Sequence, residues 1–172
     1  MPSSRIDGIE SFVKRLMKEK PKTILDVGCG FGKYGFLCRE YLDIWDSSYP
    51  YKERRTTIDA IEAYPSYIRD LQEFIYDNVS IMDASKIPWY LGEYDLIILS
   101  DVLEHTDNGL DILDYAISIS NLVYLKIPIN VMTQGEIYGN KHEKHIQGIV
   151  PSELSQRGEL EICDKFYVMW IQ

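Results

Sequence analysis

The stretch TILDVGCGFGKYG, residues 23–35, places three glycines within five positions directly after a short apolar run. The run predicts a buried strand, and the apolar residues behind the glycines recur at helical spacing. Gly28, Gly30 and Gly32 therefore occupy a sharp strand-to-helix turn, where glycine permits unusual backbone angles and lets a ligand touch the main chain. The helix that follows presents unpaired N–H groups and a partial positive charge, which suit an anion.

The spacing of these glycines disfavours two common phosphate-binding loops. The dinucleotide fingerprint has its third glycine three residues after the second, but Lys33 stands at that position here. The phosphate-binding loop that ends in Lys-Ser or Lys-Thr is absent as well. A carboxylate, which is smaller than a pyrophosphate, fits this tighter turn.

The same alternation of strand and helix continues along the chain. Strands are predicted over 22–28, 56–62, 79–83, 94–100, 121–127, 159–164 and 166–171, and helices over 6–19, 33–42, 65–76, 108–119 and 151–157. In the third of these helices, Ile68, Leu71 and Ile75 share one face. The pattern predicts a single α/β domain over 1–172 whose doubly wound, mostly parallel seven-stranded sheet ends in an antiparallel hairpin.

In such a sheet, the loops that follow strands meet at the carboxyl edge, where ligands bind. The loops expected there are 28–34, 62–66, 83–90, 100–108 and 128–150. The aromatic insert 43–55, with Trp45, Tyr49 and Tyr51, lies at the opposite edge. We assign the insert to packing or to self-association, which would make the protein a homo-oligomer.

Composition limits the partners. A net charge of −9 repels a phosphate backbone, so no nucleic-acid partner is expected. No apolar stretch approaches the roughly 20 residues of a membrane-spanning helix, so no membrane partner is expected either. Three cysteines without a CxxC pair favour reduced thiols in a cytoplasmic protein.

Acidic residues stand at the ends of the next two strands. Glu62 ends the second strand, where a carboxylate can accept hydrogen bonds from both hydroxyls of a ribose. Asp83 ends the third and is placed to accept from an adenine amino group. Asp59 is a competing acid, but it lies three residues inside its strand.

Four segments at consecutive strand ends carry a family resemblance: ILDVGCGFG, AIEAYPSYI, VSIMDASKIP and YDLIILSDVLEH. With them the chain resembles the class I S-adenosylmethionine-dependent methyltransferases of the UbiE-like, or methyltransferase type 11, group. The resemblance covers about residues 22–128, and the loop GNKHEKHIQGIVPSEL is similar to a subset of these enzymes. It implies a Rossmann-like sheet, S-adenosyl-L-methionine as cofactor and S-adenosyl-L-homocysteine (SAH) as product.

The resemblance also assigns site residues by position. Gly28, Gly30 and Gly32 would line the methionine moiety, with Asp26 orienting the loop or the amino group. Glu62 would hold the ribose, and Asp83 and the Ala84 amide would contact the adenine. Ser100 and Asp101 would border the methionine end near the methyl group.

A base is needed only if the acceptor must lose a proton during methyl transfer, and histidine is then the usual candidate. His145 and His105 are the candidates, with His142 behind them. The alternative for His105 is pairing with a carboxylate or capping the next helix, and the alternative for His145 and His142 is loop packing. A metal site built from His142, His145, Glu143 and His105 is a further alternative, but we predict no metal.

The acceptor itself is expected to be a small molecule with an oxygen or nitrogen nucleophile, because 172 residues leave no room for a separate substrate domain. The segment 1–12 and the substrate-side loop 128–150 would form the lid. A non-catalytic cofactor-binding subunit of a larger complex is the alternative function. A nicotinamide-dependent oxidoreductase is disfavoured by the glycine spacing.

Overall fold

A computed structural model of the chain describes residues 3–45, 54–87, 92–130, 134–137, 139–146 and 148–172. Its strands are β1 (Thr23–Val27), β2 (Thr57–Glu62), β3 (Asn78–Ile81), β4 (Leu96–Ser100), β5 (Val123–Pro128), β6 (Glu159–Cys163) and β7 (Phe166–Ile171). Its α-helices are α1 (Ile9–Glu19), α2 (Lys33–Cys38), α3 (Asp70–Ile75), α4 (Gly109–Ser118) and α5 (Pro151–Leu154). Among the described residues, no helix is long and apolar enough to cross a membrane.

The strands described form one sheet in the order β3-β2-β1-β4-β5-β7-β6. The first five strands in sequence pair in parallel, whereas β7 pairs antiparallel with both β5 and β6. This confirms the predicted doubly wound sheet with its terminal hairpin. The order reverses between β1 and β4, which places a switch point beside the glycine turn.

Each face of the sheet is covered by its own apolar cluster. Leu25 and Val27 of β1 pack into the cluster that contains α4, while Ile24 faces the cluster that contains α1 and α2. Burial on both faces explains why the central strands read as continuous apolar runs. β4 is buried at all five positions.

The helices depart from the predicted ranges where a local feature interrupts the pattern. α1 begins at Ile9, because Gly8 before it has a φ of 78°. The predicted helix 65–76 divides into a 3₁₀ turn at Pro65–Tyr67 and α3. Ile75 of this region is fully buried as expected, but Leu71 is 51 % exposed, so it does not share the buried face.

The second predicted helix changes its winding at Arg39. α2 ends at Cys38 and continues as a π-helical turn over Arg39–Ile44. Arg39 is 1 % exposed; it pairs with Asp43 and donates to the Thr56 carbonyl at 2.7 Å and to Asp77 at 3.0 Å. These contacts tie the second helix to the start of β2 and the end of α3.

The insert 43–55 lies partly outside the described residues, including Tyr49 and Tyr51. Where it is described, Trp45 is 68 % exposed and stacks on Tyr41, with ring centroids 5.8 Å apart. Arg54 donates to Asp77 at 3.0 Å, at the edge opposite the glycine turn. Self-association through the insert stays a prediction.

We predict that Arg39→Met lowers the free energy of unfolding by about 3–5 kcal/mol, because it removes the buried guanidinium that pairs with the fully buried Asp43. Urea unfolding followed by circular dichroism measures the change. The control is Arg157→Met, which breaks the exposed pair with Asp114 and should cost about 0–1 kcal/mol. Equal losses in the two variants would contradict a structural role for the buried network.

Candidate active site

An open cavity lies at the carboxyl edge of the sheet, with about 870 Å³ of free space when the part open to solvent is included. It is lined by the loops that follow β1 to β4, by Ser3 and Ser4, and by part of the segment 140–143. The lining includes these predicted site residues: Asp26, Gly28, Gly30, Glu62, Asp83, Ala84, Ser100, Asp101 and His105. Two predicted site residues, Gly32 and His145, are described by the structure but do not line this cavity.

The turn between β1 and α2 requires glycine for two separate reasons. Gly28 and Gly30 have φ values of 69° and 53°, in the left-handed region that other residues seldom adopt. A Cβ atom at Gly28 would also lie 2.6 Å from Cγ2 of Val102. Gly32 has a φ of 85° and packs against Ile75 of α3 instead of facing the cavity.

The Glu62 carboxylate holds this turn in place. Its Oε2 accepts from the Gly30 N–H at 2.9 Å, and its Oε1 accepts from the Tyr64 N–H at 2.8 Å. Gln72 supports the same turn by donating from Nε2 to the Gly30 carbonyl at 2.8 Å. Each carboxylate oxygen has a second lone pair, so Glu62 can still accept from a ligand.

Asp26 lies beneath the turn and is 3 % exposed. Its Oδ2 accepts from the Tyr76 hydroxyl at 2.6 Å and from the Gly35 N–H at 3.2 Å. Burial raises the pKa of Asp26 to about 7; the two hydrogen bonds oppose the rise, and the nearby Glu62 charge adds to it. Burial likewise raises the pKa of Glu62.

Tyr76 reaches Asp26 only because residue 35 has no side chain. A Cβ atom there would lie 2.3 Å from Cε1 of the Tyr76 ring. The close passage of α2 over this ring is therefore part of the site, although Gly35 does not line the cavity.

Asp83 occupies the edge of the cavity next to β3. Its Oδ1 accepts from the N–H and the hydroxyl of Ser85, at 2.9 and 2.7 Å, and its Oδ2 lies 3.5 Å from Nδ1 of His142. Partial burial raises the pKa of Asp83, but the hydrogen bonds from Ser85 outweigh it, and the pKa lies below its ordinary value. The competing acid Asp59 bonds to Asn78 and Tyr94 and does not line the cavity.

The amino-terminal segment lies against the opposite side of the cavity. Ser4 Oγ is 3.1 Å from Ser100 Oγ, and Lys33 donates to the Ser4 carbonyl. Lys126, which is fully buried, donates to the Arg5 carbonyl at 3.0 Å and lies 3.4 Å from Asp101 Oδ2. Asp101 has a φ of 55°, so this pair holds it in a conformation unusual for a residue with a side chain.

The three histidines do not form one group. His142 faces Asp83, and the adjacent Glu143 is buried and accepts from the Tyr67 hydroxyl at 2.8 Å. The rings of His105 and His145 lie 4.9 Å apart, between centroids. The metal alternative built from His142, His145, Glu143 and His105 therefore does not assemble.

Sequence reasoning missed several side chains that shape the site. Gln72 and Tyr76 fix the turn from α3, and Lys33 and Lys126 hold the amino-terminal segment. Helical spacing placed Gln72 in a helix but did not indicate that it would reach residue 30. Cys29 is buried and burial raises its pKa, in agreement with a filler of the turn.

The raised pKa of Asp26 predicts a pH-dependent stability. Because the folded state binds a proton more tightly than the unfolded state, the contribution is favourable at low pH and is lost as the pH rises toward 7. Compared with Asp26→Asn, the wild type should lose about 2–3 kcal/mol of unfolding free energy between pH 5 and pH 8. Urea unfolding of both proteins at the two pH values measures this; a constant difference would contradict it.

Solved structures share the fold at low sequence identity. The N-terminal domain of EvdMO1 with SAH bound is 12% identical, with a TM-score of 0.65 over 98% of this chain and 81% of that one. N-methyltransferase NodS from Bradyrhizobium japonicum WM9 is also 12% identical, with a TM-score of 0.60 over 95% of this chain and 94% of that one. The plantazolicin methyltransferase BpumL in complex with SAH is 16% identical, with a TM-score of 0.55 over 87% and 63% of the two chains.

No curated protein matches the sequence. The model of the methyltransferase domain family, however, matches residues 3–153. That range contains the whole cavity lining described above. Because the match extends over most of the chain and the sheet has the topology that the resemblance implied, the chain belongs to the methyltransferase domain family, as a class I methyltransferase.

Proposed function

We propose that this protein transfers a methyl group from S-adenosyl-L-methionine to an oxygen or nitrogen atom of a small molecule. One observation carries the proposal: acids from three consecutive strand ends, Asp26, Glu62 and Asp83, line one cavity with the glycine turn. Family membership and the SAH-bound neighbours support the same cofactor.

The acids suit the parts of that cofactor. Two ribose hydroxyls can donate to the remaining lone pairs of Glu62, and an adenine amino group can donate to Asp83. A ligand ammonium would offset the cost of keeping Asp26 and Glu62 buried close together, since their described contacts are neutral hydrogen-bond donors. The N–H groups of Gly28, Cys29 and Gly30 already donate to Ile61 and Glu62. The turn would therefore serve the cofactor through the close approach that glycine permits, not through unpaired N–H groups.

The cofactor supplies a methyl group that its sulfonium charge already activates. The acceptor lone pair forms a bond to the methyl carbon while the carbon–sulfur bond breaks, and its electron pair stays on sulfur to give SAH. The protein therefore has mainly to align the acceptor and exclude water, and orientation is worth several kcal/mol. An acceptor that carries a proton passes it to a base or to solvent.

The acceptor would enter beside Ser100, Asp101 and His105. His105 lines the cavity and donates from Nδ1 to the Lys144 carbonyl at 3.1 Å, so the Nε2 of the neutral imidazole keeps its lone pair. His145 adjoins His105 but lies outside the lining, so it would act on the acceptor through His105 or through a group that both contact.

The segments 3–4 and 140–143 border the open cavity, so they would limit the size of the acceptor. Neighbours of the same fold include plantazolicin methyltransferases in complex with desmethylPZN analogs, which supports a small molecule as the acceptor. We place the activity in the cytoplasm, because the three cysteines are free thiols.

Glu62→Ala should weaken SAH binding by about 10- to 100-fold, because it removes charge-assisted hydrogen bonds and loosens the glycine turn. Isothermal titration calorimetry measures the affinity, and circular dichroism verifies the fold. Glu62→Gln, which keeps one acceptor for the turn, should show an intermediate loss. The matched control Glu73→Ala removes an exposed acid and should bind SAH like the wild type.

Transfer of label from methyl-labelled S-adenosyl-L-methionine to a metabolite extract tests the reaction itself. Unchanged SAH affinity in Glu62→Ala would refute the ribose assignment. Tight SAH binding by the wild type without any label transfer would favour a cofactor-binding subunit over an enzyme.

A further inference from the structure

One cluster beside the cavity is not used by the cofactor. It consists of Glu104, His105 and His145, whose ligand atoms all lie within 4.8 Å of one another. Glu104 and His105 belong to a 3₁₀ turn at Leu103–His105, shortly after β4. His145 lies just after the segment 140–143 that covers the cavity.

The backbone fixes how these side chains face one another. The Ile146 N–H donates to the Glu104 carbonyl at 2.9 Å, and His105 donates from Nδ1 to the Lys144 carbonyl at 3.1 Å. The residues on both sides of His145 are thus bound to the turn that carries the other two members. This arrangement positions His145 independently of its own side-chain contacts.

The Glu104 carboxylate provides a second, independent observation. Glu104 is 1 % exposed, and its Oε2 has no hydrogen-bond partner among the described residues. A buried carboxylate oxygen without a partner is unfavourable, and a cation at that oxygen would offset this cost. Its other oxygen, Oε1, lies 4.0 Å from Nε2 of His105.

We propose that Glu104, His105 and His145 bind a divalent transition-metal ion at the edge of the cofactor cavity. Two imidazoles and one carboxylate are the donor set that Zn²⁺, Fe²⁺, Mn²⁺ and Co²⁺ accept. The hydrogen bond from His105 Nδ1 to a carbonyl is the orienting contact typical of metal-bound histidine. Ligand atoms in a tetrahedral site lie about 3.4 Å apart, so the three groups need to approach by on the order of 1 Å.

This inference departs from our sequence-based prediction of a metal-free site, and it changes the role of the histidines. With three protein ligands the ion keeps at least one open position, and His105 brings that position to the cavity. Given the proposed methyl transfer, the ion would bind an oxygen acceptor and lower the pKa of its hydroxyl, so neither histidine would be a free base.

Metal binding is tested on the whole chain, independently of activity. After chelation and dialysis, Co²⁺ is titrated and its visible absorption followed; we expect one ion per chain. Glu104→Gln and His145→Ala should each weaken Co²⁺ binding by about tenfold or more, whereas the matched control His142→Ala should not, because His142 faces Asp83. SAH binding and circular dichroism verify that each variant is folded.

A wild type that binds no Co²⁺, or variants that bind it as the wild type does, would overturn the site. Failure of SAH binding would instead count against the proposed function, so the two failures are distinguishable. The open position is tested with Mn²⁺: bound ion should enhance water-proton relaxation, and bound ion without enhancement would overturn the assigned acceptor position.

Discussion

The hydrogen bond from the Gly30 N–H to the Glu62 carboxylate joins the two elements on which the cofactor site depends. It links the turn after β1 to the end of β2, and the N–H groups of Gly28 and Cys29 reinforce the link by donating to the Ile61 carbonyl. The acid proposed to hold the ribose is therefore also the group that shapes the turn proposed to hold the methionine end. A change at Glu62 is therefore expected to disturb both halves of the site together.

Several acids around this cavity are buried, and their burial costs free energy of folding. Burial raises the pKa values of Asp26, Glu62 and Glu104, and each carboxyl also lies near a second acid. Stability of the empty chain would be better served by neutral side chains at these positions. A ligand that brings donors or positive charge would offset this cost, in addition to the hydrogen bonds by which Glu62 and Asp26 already hold the turn.

The features that could be predicted from the sequence are those that depend on short-range pattern. Alternation of apolar strands and helices predicted every strand of the described sheet, and strand ends predicted three acids that line the cavity, because both follow from short-range periodicity and from the geometry of parallel sheets. Contacts between distant segments could not be read in this way. Gln72 under the turn, Lys126 against the amino-terminal segment and the winding change at Arg39 depend on side chains that meet only in the folded chain. The HEKH stretch illustrates the limit: a shared metal site was one alternative for its histidines, yet the fold directs His142 and His145 to different partners.

The two ends of the cavity are built by different means, and this bears on how acceptor and cofactor are recognised. At the cofactor end, the Glu62 side chain is fixed by the backbone N–H groups of Gly30 and Tyr64, which follow the ends of β1 and β2. At the other end, the turn at 103–105 and the segment 144–146 hold each other through two hydrogen bonds, and Lys126 and Lys33 hold the amino-terminal segment by its carbonyls. An ion between Glu104, His105 and His145 would add a third link between that turn and that segment. Binding the ion would then order the acceptor side without altering the cofactor side, because no group of the cluster touches Glu62 or the glycine turn among the contacts described.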